Sequence, residues 1–173
     1  MASDLWSHHY KKIHFRKKLL YDMRSIGKHL FHKTNQIEMM SAIIPVSYFS
    51  DDRFELIEIP YQDRDYVLGI LLSKDYVNMD KVDYTPNNVP IPLCGELDDM
   101  IDNLEEKNVD VTIPIWSQSR THGKRRAKIT IINGTRSPPE VIADEEFVAN
   151  HIFVFYVRYV SKNIIVMIGD YQG

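Results

Sequence analysis

Short apolar runs dominate the chain after residue 35. In the stretch VDVTIPIW, residues Val109, Val111 and Ile113 share one face, while Asp110 and Thr112 face away, as in a half-buried strand. Further runs rich in branched and aromatic residues also predict strands: QIEMM, FELIEIP, YVLGILL, KITII, IFVFYVRYV and NIIVMI. The runs IFVFYVRYV and IIVMI are apolar on both faces and are joined by SKN. They therefore predict a buried antiparallel pair at the core.

Two stretches carry helical spacing. Within residues 96–107, Leu97, Met100, Ile101 and Leu104 recur at i, i+3, i+4 and i+7, which predicts an amphipathic helix with an acidic outer face. Residues 10–33 show a weaker helical spacing that includes a glycine, and we expect a helix there as well. The stretch YTPNNVPIP predicts a loop, because proline removes backbone donors. The expected fold class is α+β, mostly antiparallel β with one or two helices.

Composition fits one globular domain, since the chain has 173 residues, of which 44% are hydrophobic and 26% are charged. The net charge of −3 conceals a basic block at residues 8–33, an acidic block at 96–110 and a basic block at 120–128. Such blocks indicate solvated faces or, alternatively, a surface for a polyanion or a partner. Within HHYKKIHFRKK, the candidate polyanion-binding residues are Lys11, Lys12, Arg16, Lys17 and Lys18.

Candidate chemistry is sparse. Cys94 is the only cysteine, so no internal disulfide can form. His29 and His32 stand at i and i+3, but a zinc site needs further ligands on the same face. No nucleophile elbow, phosphate loop or zinc-protease motif occurs. We therefore expect no catalysis, no cofactor and no metal. The motif at residues 133–135 is a glycosylation sequon that reads equally well as a turn.

The N-terminal stretch MASDLWSHHYKK lacks the apolar segment of a signal peptide, and no run approaches the roughly 20 apolar residues that span a bilayer. We expect no membrane partner. The compartment stays unassigned, with an intracellular location slightly favoured over secretion.

Several motifs resemble, in order, the C-terminal part of a serpin. FELIEIPYQDRDYVLGILLSKD resembles a strand, corner and second strand of that family, with Met39 and Met40 before it and Trp6 upstream. DDMIDNLEEKNVDVTIPIW resembles a family helix and strand. The ending FVANHIFVFYVRYVSKNIIVMIGDY is the most specific match, at Phe147, Ala149, Asn150, His151, Phe153, Arg158, Met167, Gly169 and Tyr171. Two departures, Ile152 for the usual proline and Asp170 for the usual basic residue, put the turn and a terminal charge contact in question.

The resemblance implies strands of the two smaller serpin sheets, B and C, with the central sheet largely missing. It divides a single domain into a basic segment (1–35), strands with the acidic helix (36–116), a shortened reactive-loop-like segment (117–146) and the final strand pair (147–173). Serpins trap proteases by inserting a cleaved loop into the central sheet. The stretch KRRAKITIING stands where an alanine-rich hinge is usual, and burying its four charges would cost several kcal/mol each. We therefore expect trapping to be lost.

The reactive-bond candidate is Arg136–Ser137, flanked by loop residues Thr135, Pro138 and Pro139. This bond would suit a trypsin-like protease, although the family spacing from Phe147 places the cut nearer Pro138, and an ordinary surface loop is the alternative.

Three functions follow from the resemblance and the charge pattern. The first is binding of a protein partner, either a protease or a host regulatory protein if the chain is viral. The second is inhibition of a serine or cysteine protease by a reduced or reversible mechanism. The third is binding of heparin or another polyanion. An exposed sheet face or edge would also favour a homodimer.

Overall fold

A computed structural model describes residues 18–31, 35–74, 92, 95–115 and 142–173. Its one α-helix in these ranges is α1 (Glu96–Asp102), which lies between the fourth and fifth strands. The strands are β1 (Arg24–Phe31), β2 (Asn35–Ser50), β3 (Phe54–Pro60), β4 (Tyr66–Ser73), β5 (Glu105–Pro114), β6 (Glu145–Val148), β7 (Phe153–Tyr159) and β8 (Ile164–Tyr171). The expected α+β class, mostly antiparallel β, is confirmed.

All eight described strands belong to one mixed sheet with the order β6-β5-β2-β3-β4-β7-β8, and β1 also pairs with β2. The 16-residue β2 makes this continuity possible. One edge of β2 pairs with β5 from Met39 to Tyr48, while its other edge pairs first with β1 and then with β3. The resemblance implied strands of two separate sheets, whereas the described strands form one sheet that is continuous through β2.

The main core lies on one face of this sheet and collects buried side chains from β2 through β7. The curled sheet brings its far ends together, since the Phe31 ring of β1 meets the Tyr171 ring of β8 edge-on, with centroids 5.3 Å apart. Tyr171 also stacks on Phe153 at 5.1 Å. These contacts close the core at one end without backbone pairing between β1 and β8.

A second, smaller core lies on the opposite face of β3, β4 and β7, where Met100 and Ile101 of α1 cover Phe54, Leu71 and Tyr156. The helix begins after Gly95, whose φ of 100° suits glycine, and its first turn is acidic, which favours the helix dipole.

The predicted helix over residues 10–33 is wrong where the structure describes this stretch, because residues 24–31 form β1. Gly27 has a φ of 86°, outside the helical region, and the β1–β2 register shifts between Ser25 and Gly27. An extra residue in a strand disturbs its alternation, which explains why the apolar spacing looked helical. His29 lies on β1, and His32 lies outside the described residues.

The predicted helix over residues 96–107 is too long. It ends at Asp102, where the Asn103 side chain donates to the Asp99 carbonyl at 2.7 Å. From Glu105 the backbone is extended and pairs with Tyr48. Leu104 therefore packs against the smaller core from a strand entrance instead of a helical turn.

The β5 prediction is confirmed, since Val109, Val111 and Ile113 are fully buried while Asp110 and Thr112 are half-buried. The antiparallel β7–β8 pair is also confirmed, with Asn163 in the left-handed region of the connection. Only β7 is buried on both faces, however, because β8 alternates between exposed and half-buried residues. The predicted strand KITII and all of the predicted YTPNNVPIP loop except Pro92 lie outside the described residues.

Candidate functional site

The β5–β6 edge is formed by β5 and β6, the two described strands that flank the reactive-bond candidate in the sequence. These strands run parallel, with Val109 opposite Glu145 and Thr112 opposite Val148. Beyond β5, the Ile115 amide donates to the Glu38 carbonyl at 2.8 Å. The segment that follows Ile115 therefore leaves from a fixed point on the sheet.

The returning end of that segment is fixed at the opposite end of β5. The Asp144 amide donates to the Asn108 carbonyl at 2.7 Å, and the Asn108 amide donates to Asp144 Oδ2 at 2.9 Å. Because β5 rises about 3.3 Å per residue, these two anchors lie roughly 20 Å apart along the sheet. Parallel neighbours need such a crossover connection.

An ion pair adds to the hydrogen bonds between Asn108 and Asp144 at the returning end of the segment. Lys107 Nζ lies 2.9 Å from Glu145 Oε1 and 5.3 Å from the centroid of the Tyr48 ring. The hydrogen bond with Glu145 raises the pKa of Lys107, and burial raises the pKa of Tyr48. The ion pair is only partly buried, so it positions the strand end and adds little stability.

After β6 the chain is locked into the core. Phe147 and Ala149 are fully buried, and the Ala149 amide donates to the Thr112 carbonyl at 2.9 Å. His151 Nε2 lies 3.2 Å from the Ser73 carbonyl oxygen, which links the turn to the end of β4. The turn forms without the usual proline, since Ile152 is buried in the main core instead. Asp170 is exposed and accepts a hydrogen bond from Gln172.

Most sequence-predicted site residues lie outside the described residues, namely Thr135, Arg136, Ser137, Pro138, Pro139, Lys11, Lys12, Arg16 and Lys17. Lys18 is described and is half-buried. Its carbonyl accepts a hydrogen bond from the Gln62 amide at 2.9 Å, beside the β3–β4 turn. The stretch HHYKKIHFRKK, which ends at Lys18, is therefore attached to the sheet at its last residue.

Sequence reasoning missed a buried polar cluster formed by Glu58, Tyr156 and Arg158. Tyr156 Oη and Arg158 Nε each donate to Glu58 Oε1 at 2.8 Å, and Arg158 Nη2 pairs with Glu58 Oε2. The Glu58 side chain is only 3% exposed and that of Arg158 11%. The charged residues inside the apolar runs FELIEIP and FVFYVRY were the available signal, because a buried charge requires a partner.

Gly69 makes the cluster possible. Glu58, Gly69 and Tyr156 stand directly opposite one another on β3, β4 and β7. A Cβ atom at Gly69 would lie 2.1 Å from Tyr156 Cζ, so the tyrosine ring lies across the glycine and reaches Glu58 two strands away. Burial and the Glu58 carboxylate raise the pKa of Tyr156.

This arrangement is structural rather than reactive, since both Glu58 oxygens accept hydrogen bonds from neighbouring side chains. Within the described ranges, no three His, Cys, Asp or Glu side chains are grouped so that they could hold a metal ion. The described part of the chain also contains no helix long and apolar enough to cross a membrane.

No protein-family model matches the chain. A curated relative, an uncharacterized serpin-like protein of Acanthamoeba polyphaga mimivirus, is 28% identical over 213 residues, which cover 95% of this chain and 52% of the relative. The chain thus spans about half the length of that relative. The 213 aligned positions exceed the chain's 173 residues, so at least 40 of them, the difference, are occupied by the relative alone.

Solved structures share the fold at low identity. SRPN18 from Anopheles gambiae matches with a TM-score of 0.66 and 16% identity, over 90% of this chain and 53% of that one. Native protease nexin-1 with heparin matches with a TM-score of 0.59 and 16% identity, over 90% and 52%. Other matching structures are described as serpins from trematodes and from a thermophile. The chain thus shares the serpin fold over about half the length of these structures, and its sequence is similar to that of the mimivirus serpin-like protein.

Proposed function

We propose that the chain is a non-catalytic, serpin-like binding protein that engages a protein partner without trapping a protease by loop insertion. The observation that carries the proposal is the shortness of the connection between β5 and β6. Only residues 115–144 separate the two strands, and both ends of this connection are anchored to the same sheet. A cleaved loop must enter a sheet that opens, and the described sheet offers no gap, because each neighbour in its order is hydrogen-bonded.

The connection is also chemically unsuited to insertion. It contains Lys124, Arg125, Arg126 and Lys128, whereas a strand inserted into the middle of a sheet buries its side chains. Unpaired buried charges cost several kcal/mol each. The at least 40 positions that only the mimivirus relative occupies support internal shortening of this chain relative to that protein.

A protease panel tests this proposal. The chain is mixed with trypsin-like, chymotrypsin-like and caspase enzymes, and products are separated by denaturing electrophoresis. We expect cleavage fragments and no complex that survives detergent. A stable complex of chain and protease would contradict the proposal.

The same panel tests a second candidate function. In it, the chain is a reversible protease inhibitor that presents Arg136–Ser137. This candidate rests on the anchors at Ile115 and Asp144, which fix where the segment leaves and rejoins the sheet. It predicts slowed substrate hydrolysis that is lost in Arg136→Ala and retained in the matched variant Arg126→Ala. Equal behaviour of the two variants would exclude Arg136 as the contact.

Polyanion binding is the third candidate, favoured because a structure with the same fold is a complex with heparin and because Lys18 ties the basic segment to the sheet. Phosphate or sulfate contacts release counterions, so retention on heparin should fall steeply with salt. We expect retention to drop when Lys11, Lys12 and Arg16 become alanine, but not when Lys124, Arg125 and Arg126 do. Equal loss of retention in both triple variants would show that binding depends on total positive charge and not on the N-terminal residues.

A further inference from the structure

One face of the edge strand β8 carries an exposed apolar row. This strand has eight residues and lies at the end of the sheet. The exposed fractions of its side chains Ile164, Val166 and Ile168 are 50%, 41% and 51%. Among the described strands, β8 pairs with β7 alone. Exposed edge strands are normally protected by charged residues, yet residues 163–169 contain none. This edge therefore lacks the usual protection against pairing.

The charges that flank the row are self-complementary. Lys162 lies just before β8 and Asp170 lies near its end, each four residues from Val166. Both side chains are exposed. If two copies of β8 lie antiparallel with Val166 opposite Val166, then Ile164 faces Ile168 of the other copy and Lys162 faces Asp170. A twofold axis repeats each contact, so one register satisfies both charge pairs.

Val166 is also the irregular residue of the strand. Val157 of β7 is opposite Met167 and Arg158 is opposite Ile165, which leaves Val166 without a register partner in β7. Such a bulge interrupts the regular ladder. At the twofold axis the two copies therefore touch through their Val166 side chains, with the side chains of residues 164 and 168 on either side.

We propose that β8 is a self-association edge, on which two copies of the chain align antiparallel about a twofold axis at Val166. The occupant is a second copy because the apolar row and both flanking charges match themselves. Self-association does not depend on the function proposed above. A strand edge of this length gives a weak dimer, with a dissociation constant in the micromolar range.

Sedimentation velocity of the full chain between about 5 and about 200 μM measures this equilibrium. We expect a concentration-dependent dimer that Val166→Lys abolishes, because two ammonium groups would meet at the axis. The matched control is Leu30→Lys on β1, an edge residue that is 59% exposed, and it should leave the dimer unchanged. Circular dichroism confirms that each variant is folded.

Charge reversal tests the register. Lys162→Asp and Asp170→Lys should each weaken the dimer about tenfold, since both flanking contacts become repulsive. An equimolar mixture of the two variants should dimerise like the wild type, because one copy then carries two acidic side chains and the other two basic ones. Wild type that stays monomeric, a dimer that survives Val166→Lys, a dimer lost in Leu30→Lys, or a mixture that fails to recover overturns the proposal.

Discussion

Gly69 shows how one missing side chain organises a buried cluster. The Tyr156 ring occupies the space where a Cβ atom would stand, at 2.1 Å from Cζ. The ring cannot move aside freely, because its hydroxyl is bound to Glu58. A methyl group at this position must therefore break the hydrogen bond or shift β4.

Gly69→Ala should lower the free energy of unfolding by about 3 kcal/mol, from overpacking and the lost hydrogen bond. Gly169→Ala is the matched control, since its Cβ would lie 2.9 Å from Phe155 Cζ and a phenyl ring, unlike that of Tyr156, carries no hydroxyl. Its cost should be about 1 kcal/mol. Urea unfolding measures both, and equal losses would contradict this role of Gly69.

Arg158 neutralises a carboxylate that is nearly inaccessible to water. Arg158→Met should cost about 4 kcal/mol, because it leaves the Glu58 charge buried and unpaired. Adding Glu58→Gln should recover part of this loss, since no charge then remains. The exposed Arg24→Met serves as control and should change stability by less than about 0.5 kcal/mol. Additive losses from the Glu58 and Arg158 substitutions would argue against a coupled pair.

The raised pKa of Tyr156 predicts that the folded chain loses stability at alkaline pH. Burial and Glu58 raise its folded-state pKa above the ordinary value of 10.0, so the folded chain retains a proton that the unfolded chain loses. Stability is therefore complete below pH 10 and falls as pH rises beyond it, by up to about 1.4 kcal/mol per pH unit for this tyrosine. Tyr61 and Tyr171 add to the slope, because burial raises their pKa values as well.

Urea unfolding across this pH range should therefore show a shallower decline for Tyr156→Phe than for the wild type. Identical slopes would show that Tyr156 does not hold its proton.

A strand was predictable from the sequence where burial of one of its faces produced an alternation of apolar and polar residues. The alternation of β5 survives because Val111 and Ile113 face the core while their neighbours face outwards. β1 was not predictable in this way, because seven of its eight residues are exposed and the bulge at Gly27 disturbs its period. The length of α1 was overestimated because Leu104 packs on the same core as the helix from outside it.

The returning anchor of the β5–β6 edge yields a prediction about one element. Asp144→Ala removes the carboxylate that accepts the Asn108 amide, so that amide should exchange about tenfold faster with solvent while global stability falls by only about 1 kcal/mol. The exposed Asp52→Ala is the control. Amide exchange followed by NMR gives the result, and unchanged exchange at Asn108 would show that the side chain does not hold this end.

The assembly of the whole molecule depends on contacts between distant residues. The pairing of Phe31 with Tyr171, and of Glu58 with Arg158, joins positions whose separation in the chain hides the contact from any local pattern. Ordered motifs nevertheless predicted a mostly antiparallel β fold, and the matched runs form strands, although these share one sheet and not two. The four-part division of the domain and the sites at Arg136 and in the basic segment remain predictions.

The decisive property of a trapping serpin is that its cleaved loop becomes a new strand, which adds hydrogen bonds and buried surface. Thermal unfolding of this chain should therefore be recorded before and after a single cleavage within residues 116–141, with the cut located by mass spectrometry. We expect the midpoint to stay the same or to fall slightly, because the described strands already form one continuous hydrogen-bonded sheet and the segment carries the basic stretch KRRAK. A rise of more than about 10 °C would show insertion and contradict the proposed loss of trapping.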